Sequence, residues 1–292
     1  MKKVLLLGAA GMLGSAVYDV LRAKYDLVLS FKNKEESRLL SERYSGVENC
    51  QIETLDLECM YQDYYEKKGN PGEYFINFFK KTSEIDYVIN AVGITIPFSF
   101  KNPALTFFIN SAFPHILANI FEEKLIHITT DCVYNGKQGY PYNENSPKTP
   151  VDIYGISKAL GEPINCLTLR TSIIGRELQG FNSLLGWFLQ QEGKTIKGFA
   201  QHFWNGITTK EFGKVCDKII SNPEEYPKTG LYHIFSTTVS KYEMLVKFKE
   251  KFSINCEIEK DEEPKLNRTL ATIYDFNKKL NIPSFDEMLK DL

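Results

Sequence analysis

Tyr154 and Lys158 stand four residues apart, with Thr130-Asp131-Cys132 upstream of them. Residues i and i+4 of a helix share one face, so the ammonium can sit beside the phenol and favour its ionised form. Bringing a phenol from about pH 10 to near neutrality takes about three pKa units, or roughly 4 kcal/mol. One exposed helical pair supplies far less, so the pair carries chemistry only if other groups surround it. Two such groups are legible. Thr130 follows a strand-like run, and Gly8, Gly11 and Gly14 follow the apolar run Val4-Leu5-Leu6-Leu7. Glycines between a first strand and a helix let the backbone approach a pyrophosphate, which the amino end of the helix stabilises.

The elements that must hold these groups alternate. Strand-like apolar runs at 4–7, 27–31, 86–91, 125–129 and 166–170 are separated by segments long enough for helices, the first at 15–24. That pattern predicts an α/β fold with a Rossmann-type doubly wound parallel sheet, whose ligands bind outside the carboxyl ends of the strands. The motifs fall there. The stretch 61–81 is aromatic-rich, broken by Gly69-Asn70-Pro71-Gly72, and reads as helix packing rather than a stacking platform. Beyond Gly175 the alternation is less regular, with Trp187, Phe188, Phe203 and Trp204 near polar residues. We therefore expect a nucleotide-binding domain over 1–170 and a smaller α/β substrate-binding region over 171–292, interleaved with it. Residues 230–234 read as a strand and 241–251 as a helix.

A chain of 292 residues can bury about three quarters of its unfolded surface, enough for a large core and a cleft. Its formal charge of -2 gives no basic field for nucleic acid. Six scattered cysteines fit reduced cytoplasmic thiols better than disulfides or a zinc site, and no metal is expected. Met1-Lys2-Lys3 before an apolar run imitates a secretory signal, but the glycines end that run too early. No apolar stretch is read as approaching the length of about 20 residues that spans a bilayer, so no membrane is expected as a partner.

The chain resembles the extended short-chain dehydrogenase/reductase superfamily and, within it, the dTDP-4-dehydrorhamnose reductase family. The resemblance rests on Gly8-Ala9-Ala10-Gly11-Met12-Leu13-Gly14, Asp56-Leu57, Asn90-Ala91-Val92-Gly93, Thr129-Thr130-Asp131, Tyr154-Gly155-Ile156-Ser157-Lys158 and Leu169-Arg170-Thr171. It implies Tyr154 as acid/base at a carbonyl, Lys158 on the nicotinamide ribose, and Thr130 orienting the oxygen. Met12 and Leu13 would join the glycines around the cofactor, Asp56 and Leu57 would flank its adenine, and Asn90, Ala91 and Val92 would line the dinucleotide. Thr171, Ser172 and Ile173 would hold the nicotinamide end, with Asn110 in a supporting place. Asp131, Asn182, Trp204 and Arg268 are the expected substrate contacts, although Arg268 could equally be a surface arginine. The second strand ends at Lys32-Asn33-Lys34 without the acidic residue that binds an adenosine 2′-hydroxyl. Lys32 and Lys34, with Arg38 as a further candidate, thus favour NADPH, with NADH and a merely solvated basic turn as alternatives. The implied reaction is reduction of the 4-keto group of a 4-keto-6-deoxy nucleotide sugar, in deoxysugar and surface polysaccharide biosynthesis. Dimers are common in such families, so a homodimer is an expected assembly.

Position 132 discriminates among relatives. Nucleotide-sugar 4,6-dehydratases carry Thr-Asp-Glu in this stretch, and Cys132 cannot replace that carboxylic acid. GDP-fucose synthase and plant-type epimerase/reductases carry a cysteine there, and a thiol beside a sugar ketone can exchange a proton at the adjacent carbon. Cys132 therefore leaves open a bifunctional epimerase/4-reductase beside reduction alone. The histidine that would assist it is replaced by Leu184, with His202 or Lys197 as substitutes. Two further readings are a cofactor-retaining 4-epimerase and a non-catalytic NADP-binding regulatory subunit.

Overall fold

The computed structural model describes residues 1–66, 73–81 and 84–292, with side chains at 64–66 and 73–76 left aside. The break Gly69-Asn70-Pro71-Gly72 lies outside the described residues. Six strands, β1 (Lys3–Leu7), β2 (Asp26–Phe31), β3 (Gln51–Thr54), β4 (Tyr87–Asn90), β5 (Leu125–Thr130) and β6 (Leu167–Thr171), form one sheet with the later strand Gly230–His233. The order is Gly230–His233, β6, β5, β4, β1, β2, β3, and every pairing is parallel. Parallel strands are covered on both faces, which is why β5 and β6 are buried along their whole length. In β1, Val4 and Leu6 enter one core and Leu5 and Leu7 the other, so successive side chains feed the two helix layers. The chain order reverses beside β1, between β1 and β4, and the ligand crevice of such a sheet opens there.

Two parts of this sheet differ from the sequence reading. β3 was not anticipated, because an edge strand of sequence Gln-Ile-Glu-Thr, largely exposed, has no apolar run to reveal it. Gly230–His233 was expected only as further α/β structure, yet it pairs with β6 and completes the sheet. One expectation needs correction. The helical run Pro103–Lys124 is long and apolar enough to cross a membrane by length and composition. It is broken by a π-helical turn at Phe108–Ala112, and it packs Phe108, Phe113, Leu117 and Phe121 into the core on one side of the sheet.

The region after β6 forms small sheets. His202–Trp204 lies between Val239–Ser240, antiparallel to it, and Leu266–Asn267, parallel to it. The helix Lys241–Phe252 then starts at a capping box in which Ser240 and Glu243 satisfy each other's backbone amides. Strand pairing and cap together fix where Lys241 projects.

Candidate active site

The glycine turn has the shape a diphosphate requires. Gly8 has φ +76, and a Cβ there would stand 2.9 Å from Val92 Cγ2. A Cβ on Gly14 would lie 2.0 Å from the Gly8 carbonyl oxygen, so the helix can approach β1 only with glycine at that place. Gly11 caps the helix Met12–Leu21 without any side-chain acceptor, leaving its first-turn amides, those of Met12, Leu13 and Gly14, directed at the crevice. The residues present therefore fit a dinucleotide. Across the crevice, Asn90 Oδ1 accepts from the Val92 amide at 3.1 Å and shapes the turn through Ala91 and Val92. Asn90 Nδ2 reaches His127 Nδ1 at 3.1 Å, while His127 Nε2 lies 3.0 Å from the Gly161 carbonyl. A carbonyl only accepts, so Nε2 carries the proton, Nδ1 accepts, and the buried ring is neutral.

The adenosine end is more balanced than the sequence implied. Lys32 Nζ pairs with Glu58 at 3.1 Å, and Glu36 accepts from the Lys32 amide at 2.7 Å. Arg38 is held between Glu35 and Glu42. Asp56 accepts from the Glu58 and Cys59 amides at 2.9 and 3.3 Å, at the start of the helix Leu57–Glu66, and Leu57 is buried beneath.

At the carboxyl end of β5 the groups expected to transfer protons come together. Asp152 caps the helix Ile153–Leu160 by accepting from the Gly155 amide at 2.7 Å. A Cβ on Gly155 would lie 2.4 Å from the Cys132 carbonyl oxygen, so glycine lets this helix rest directly on the 131–133 turn. Tyr154 is thereby brought to Thr130 and Cys132. Burial and then the neighbouring Cys132 push the phenol up, with a hydrogen bond to Thr130 opposing them. This is the reverse of the expected tuning toward neutrality, and it keeps the phenol protonated. Lys158 Nζ donates to the Ile128 carbonyl at 2.9 Å, and burial lowers its pKa to about 8 against the pull of Glu162. Thr130 Oγ1 donates to Asp131 at 3.1 Å and accepts from the Cys132 amide at 3.2 Å. Burial, then Asp131, raise the Cys132 thiol to about 12, so it is uncharged at neutral pH. Arg268 Nη1 lies 3.5 Å from Cys132 Sγ, and its Nε donates to the Tyr134 carbonyl at 2.9 Å, which places Arg268 in the cleft.

Asn110, in the π-helical turn, holds the back of the site. It accepts from the Ile94 amide and donates to the Ile94 carbonyl, both at 2.9 Å, and donates to Ser157 at 3.1 Å. Behind it lies a buried network that the sequence reading did not include. Arg170 donates to both Glu162 oxygens, at 2.9 and 2.6 Å, and to Tyr134 and His233 at 2.5 and 2.8 Å. Thr129 and Lys148 complete Glu162 at 2.9 and 3.1 Å. Because Arg170 is a donor only, His233 Nε2 accepts, and Nδ1 donates to the Ala271 carbonyl at 2.7 Å.

Neutral buried histidines have a consequence in acid. Burial and then Arg170 lower His233 to about 4, and burial followed by Lys158 lowers His127 well below its ordinary value. An unfolded histidine titrates near 6.5, so the unfolded chain binds the proton first as pH falls. The stability these rings contribute is complete above about pH 6.5 and is lost as pH falls toward 4. For His233 the loss is about 2–3 kcal/mol. Urea titrations at pH 7 and 4.5 should show the drop, and His233→Gln should flatten part of it; an unchanged slope in that variant would contradict the assignment.

The remaining expected residues are placed as follows. Thr171 is buried at the end of β6, and its hydroxyl donates to the Ser172 carbonyl at 3.3 Å. That carbonyl also accepts from the Ile207 amide, and Ile173 pairs with Ile207 in a two-stranded parallel ladder. Asn182 is exposed in the loop before the helix Leu184–Phe188. Trp204, expected at the substrate, is instead packed in the core, 4% exposed and edge-on to Phe285. Lys197 is on the surface, paired with Asp261 at 3.0 Å, and is no substitute base. His202 is half-buried beside Lys241 and Arg268.

The arrangement defines a class first: a dinucleotide-binding α/β fold carrying a threonine, tyrosine and lysine at the carboxyl end of its fifth strand. The family described as RmlD substrate binding domain matches residues 1–260, and the chain belongs to it. Among curated relatives, the spore coat polysaccharide biosynthesis protein SpsK of Bacillus subtilis is 29% identical over 123 residues, 40% of this chain and 42% of that protein. The chain thus spans less than half the length of that relative. A dTDP-4-dehydrorhamnose reductase of Bacillus anthracis, solved in complex with NADP, superposes with TM-score 0.65 at 20% identity, covering 100% of this chain and 98% of the other. A UDP-N-acetylglucosamine 4-epimerase of Methanobrevibacter ruminantium, solved with UDP-N-acetylmuramic acid, gives TM-score 0.74 at 18% identity over 99% and 95%. These structures share the fold.

Proposed function

We propose that the chain is an NADPH-dependent reductase of the 4-keto group of a nucleotide sugar, of the 4-keto-6-deoxy class, with residues 171–292 supplying most of the substrate-binding region. The observation that carries this reading is the protonated Tyr154 phenol brought beside Thr130 and Cys132, with Lys158 anchored on the Ile128 carbonyl one turn further along the same helix. NADPH, when bound, supplies the hydride. The chain's residues do the rest: Tyr154 holds the substrate oxygen, Thr130 joins it by turning its hydroxyl from Asp131, and Tyr154 delivers a proton as negative charge develops on that oxygen. The glycine turn and Asn90 position the dinucleotide, and alignment of donor with ketone contributes much of the acceleration. Lys32 would contact an adenosine 2′-phosphate only by exchanging its Glu58 partner, so the preference for NADPH over NADH should be modest. A place in polysaccharide biosynthesis is supported by SpsK. Purified protein given NADPH and dTDP-4-keto-6-deoxyglucose should oxidise NADPH in step with a new C4 alcohol. No oxidation with any 4-keto nucleotide sugar, in either the dTDP or the UDP or GDP series, overturns the reading.

Cys132 favours a second reading, epimerisation before reduction. Inversion at the carbon next to the ketone needs a base to take its proton, forming an enolate that the carbonyl stabilises, and an acid to return one on the opposite face: the neutral His202 ring would be the base, and the protonated Cys132 thiol, beside Arg268, the acid. Turnover in deuterated water should then place ring deuterium in the product, and Cys132→Ser should remove it while leaving reduction. Deuterium-free product from the wild-type protein would leave reduction alone.

A further inference from the structure

Lys241 is a cation that the proton-transfer scheme does not use. It is half-buried at the start of the helix Lys241–Phe252, with its Nζ 5.6 Å from the centroid of the Trp204 ring. Among the described residues it makes neither a hydrogen bond nor an ion pair, so three N–H donors remain to be used. It acts electrostatically on Asp131 and Cys132, which places it at the reacting end of the cleft. Arg268 stands at the same end, 3.5 Å from Cys132 Sγ, with no partner for its Nη2 among the described residues. His202, whose ring also has no hydrogen bond among the described residues, is held neutral by burial and by Lys241 and Arg268 together.

The charge balance here is uneven. Lys241 and Arg268 face one carboxyl group, Asp131, and burial raises that carboxyl's pKa and weakens it as a counterion. Three donors, carried on or directly after the three adjacent strands of one small sheet, thus lie within electrostatic reach of one another beside Cys132, with a surplus of positive charge. A neutral hexose offers only hydroxyls there, whereas an oxyanion would satisfy the donors with charge-assisted hydrogen bonds. Cys132 is two residues from Thr130, which orients the reacting oxygen in the proposed function. The anion therefore belongs on the sugar, next to the reacting carbon, and not on the diphosphate.

We propose that Lys241, with Arg268 and His202, forms a subsite for a carboxylate carried by the sugar of the nucleotide sugar. The inference rests on the nucleotide-sugar reading of this site and adds the acidic class of its substrate. A carboxylate on a C3 substituent is compatible with a 6-deoxy ring; a C6 carboxylate takes the place of its methyl group.

The test is a pair of affinity ratios measured by calorimetry with NADPH present: UDP-glucuronate against UDP-glucose, and UDP-N-acetylmuramate against UDP-N-acetylglucosamine, with UDP alone as the reference. At least one acidic sugar should bind about tenfold or more tightly than its neutral counterpart. Lys241→Met should erase that ratio while leaving the neutral sugar and UDP within about twofold. Lys241→Arg should keep most of it, which separates charge from packing on Trp204. No acidic preference in either pair overturns the proposal. So does an equal loss for acidic sugar, neutral sugar and UDP in Lys241→Met, which would assign the cation to the diphosphate. The ratios need no turnover, so failure of the reductase assay would remove the proposed reaction without deciding the subsite.

Discussion

Replacing Tyr154 by phenylalanine should lower the rate of NADPH oxidation by about 10²–10⁴-fold while leaving NADPH affinity within about threefold. The size follows from the role proposed for the hydroxyl. Burial keeps the phenol protonated, so it enters the reaction as an acid ready to donate, and phenylalanine retains the ring's packing without the proton. The cofactor side is insulated, because Lys158 is anchored to the Ile128 carbonyl at 2.9 Å and not to the phenol. Single-turnover rates with saturating NADPH would separate the two effects. A variant as fast as wild type would remove Tyr154 from the chemistry. One that no longer binds NADPH would mean that the hydroxyl is needed to build the site rather than to run it.

The second large effect is on stability. Arg170→Met is expected to cost about 3–5 kcal/mol, because removing one member of a buried ion pair strands the other. Glu162 would keep Lys148 at 3.1 Å and Thr129 at 2.9 Å, which argues for the lower end of that range. Tyr134 and His233 would lose a common donor as well. At about 2–4 °C per kcal/mol, a loss at that lower end, about 3 kcal/mol, should bring the melting temperature down by roughly 6–12 °C. The double variant Arg170→Met with Glu162→Leu should recover part of the loss, since both charges then leave the interior. Equal melting points for wild type and the single variant would show that the pair is not holding the sheet to the end of the helix Ile153–Leu160.

How much of this was legible depended on whether a local pattern carried the information. The glycine turn could be read because β1 is a continuous apolar run and the glycine spacing follows it directly. Thr130, Tyr154 and Lys158 could be named because each lies in a short motif. β3 could not be seen, since an edge strand with one apolar residue has no periodic signature. Trp204 was misplaced because an aromatic next to polar residues reads equally as a core ring or a stacking surface; its contact with Phe285 decides for the core. Lys241 was invisible for a related reason. In a helix that also carries Lys247, Lys249 and Lys251 it reads as one more solvated cation, and only the pairing of Val239–Ser240 with His202–Trp204 turns it inward. The identity of Cys132 was legible, but its protonation was not, because burial and Asp131 set it.

β5 measures out the site in single-residue steps. His127 meets Asn90 and Gly161, the Ile128 carbonyl takes Lys158, Thr129 takes Glu162, and Thr130 meets Tyr154 and the Cys132 amide. Four consecutive residues of one strand thus serve as a common ruler for cofactor crevice, lysine, buried ion pair and acid. Shifting the strand by one residue would misplace all four together, so the site has no partly assembled form. Partial denaturation should therefore lower the number of working molecules without lowering the rate of those that remain, and residual activity would serve as a direct count of chains whose central strands are in register.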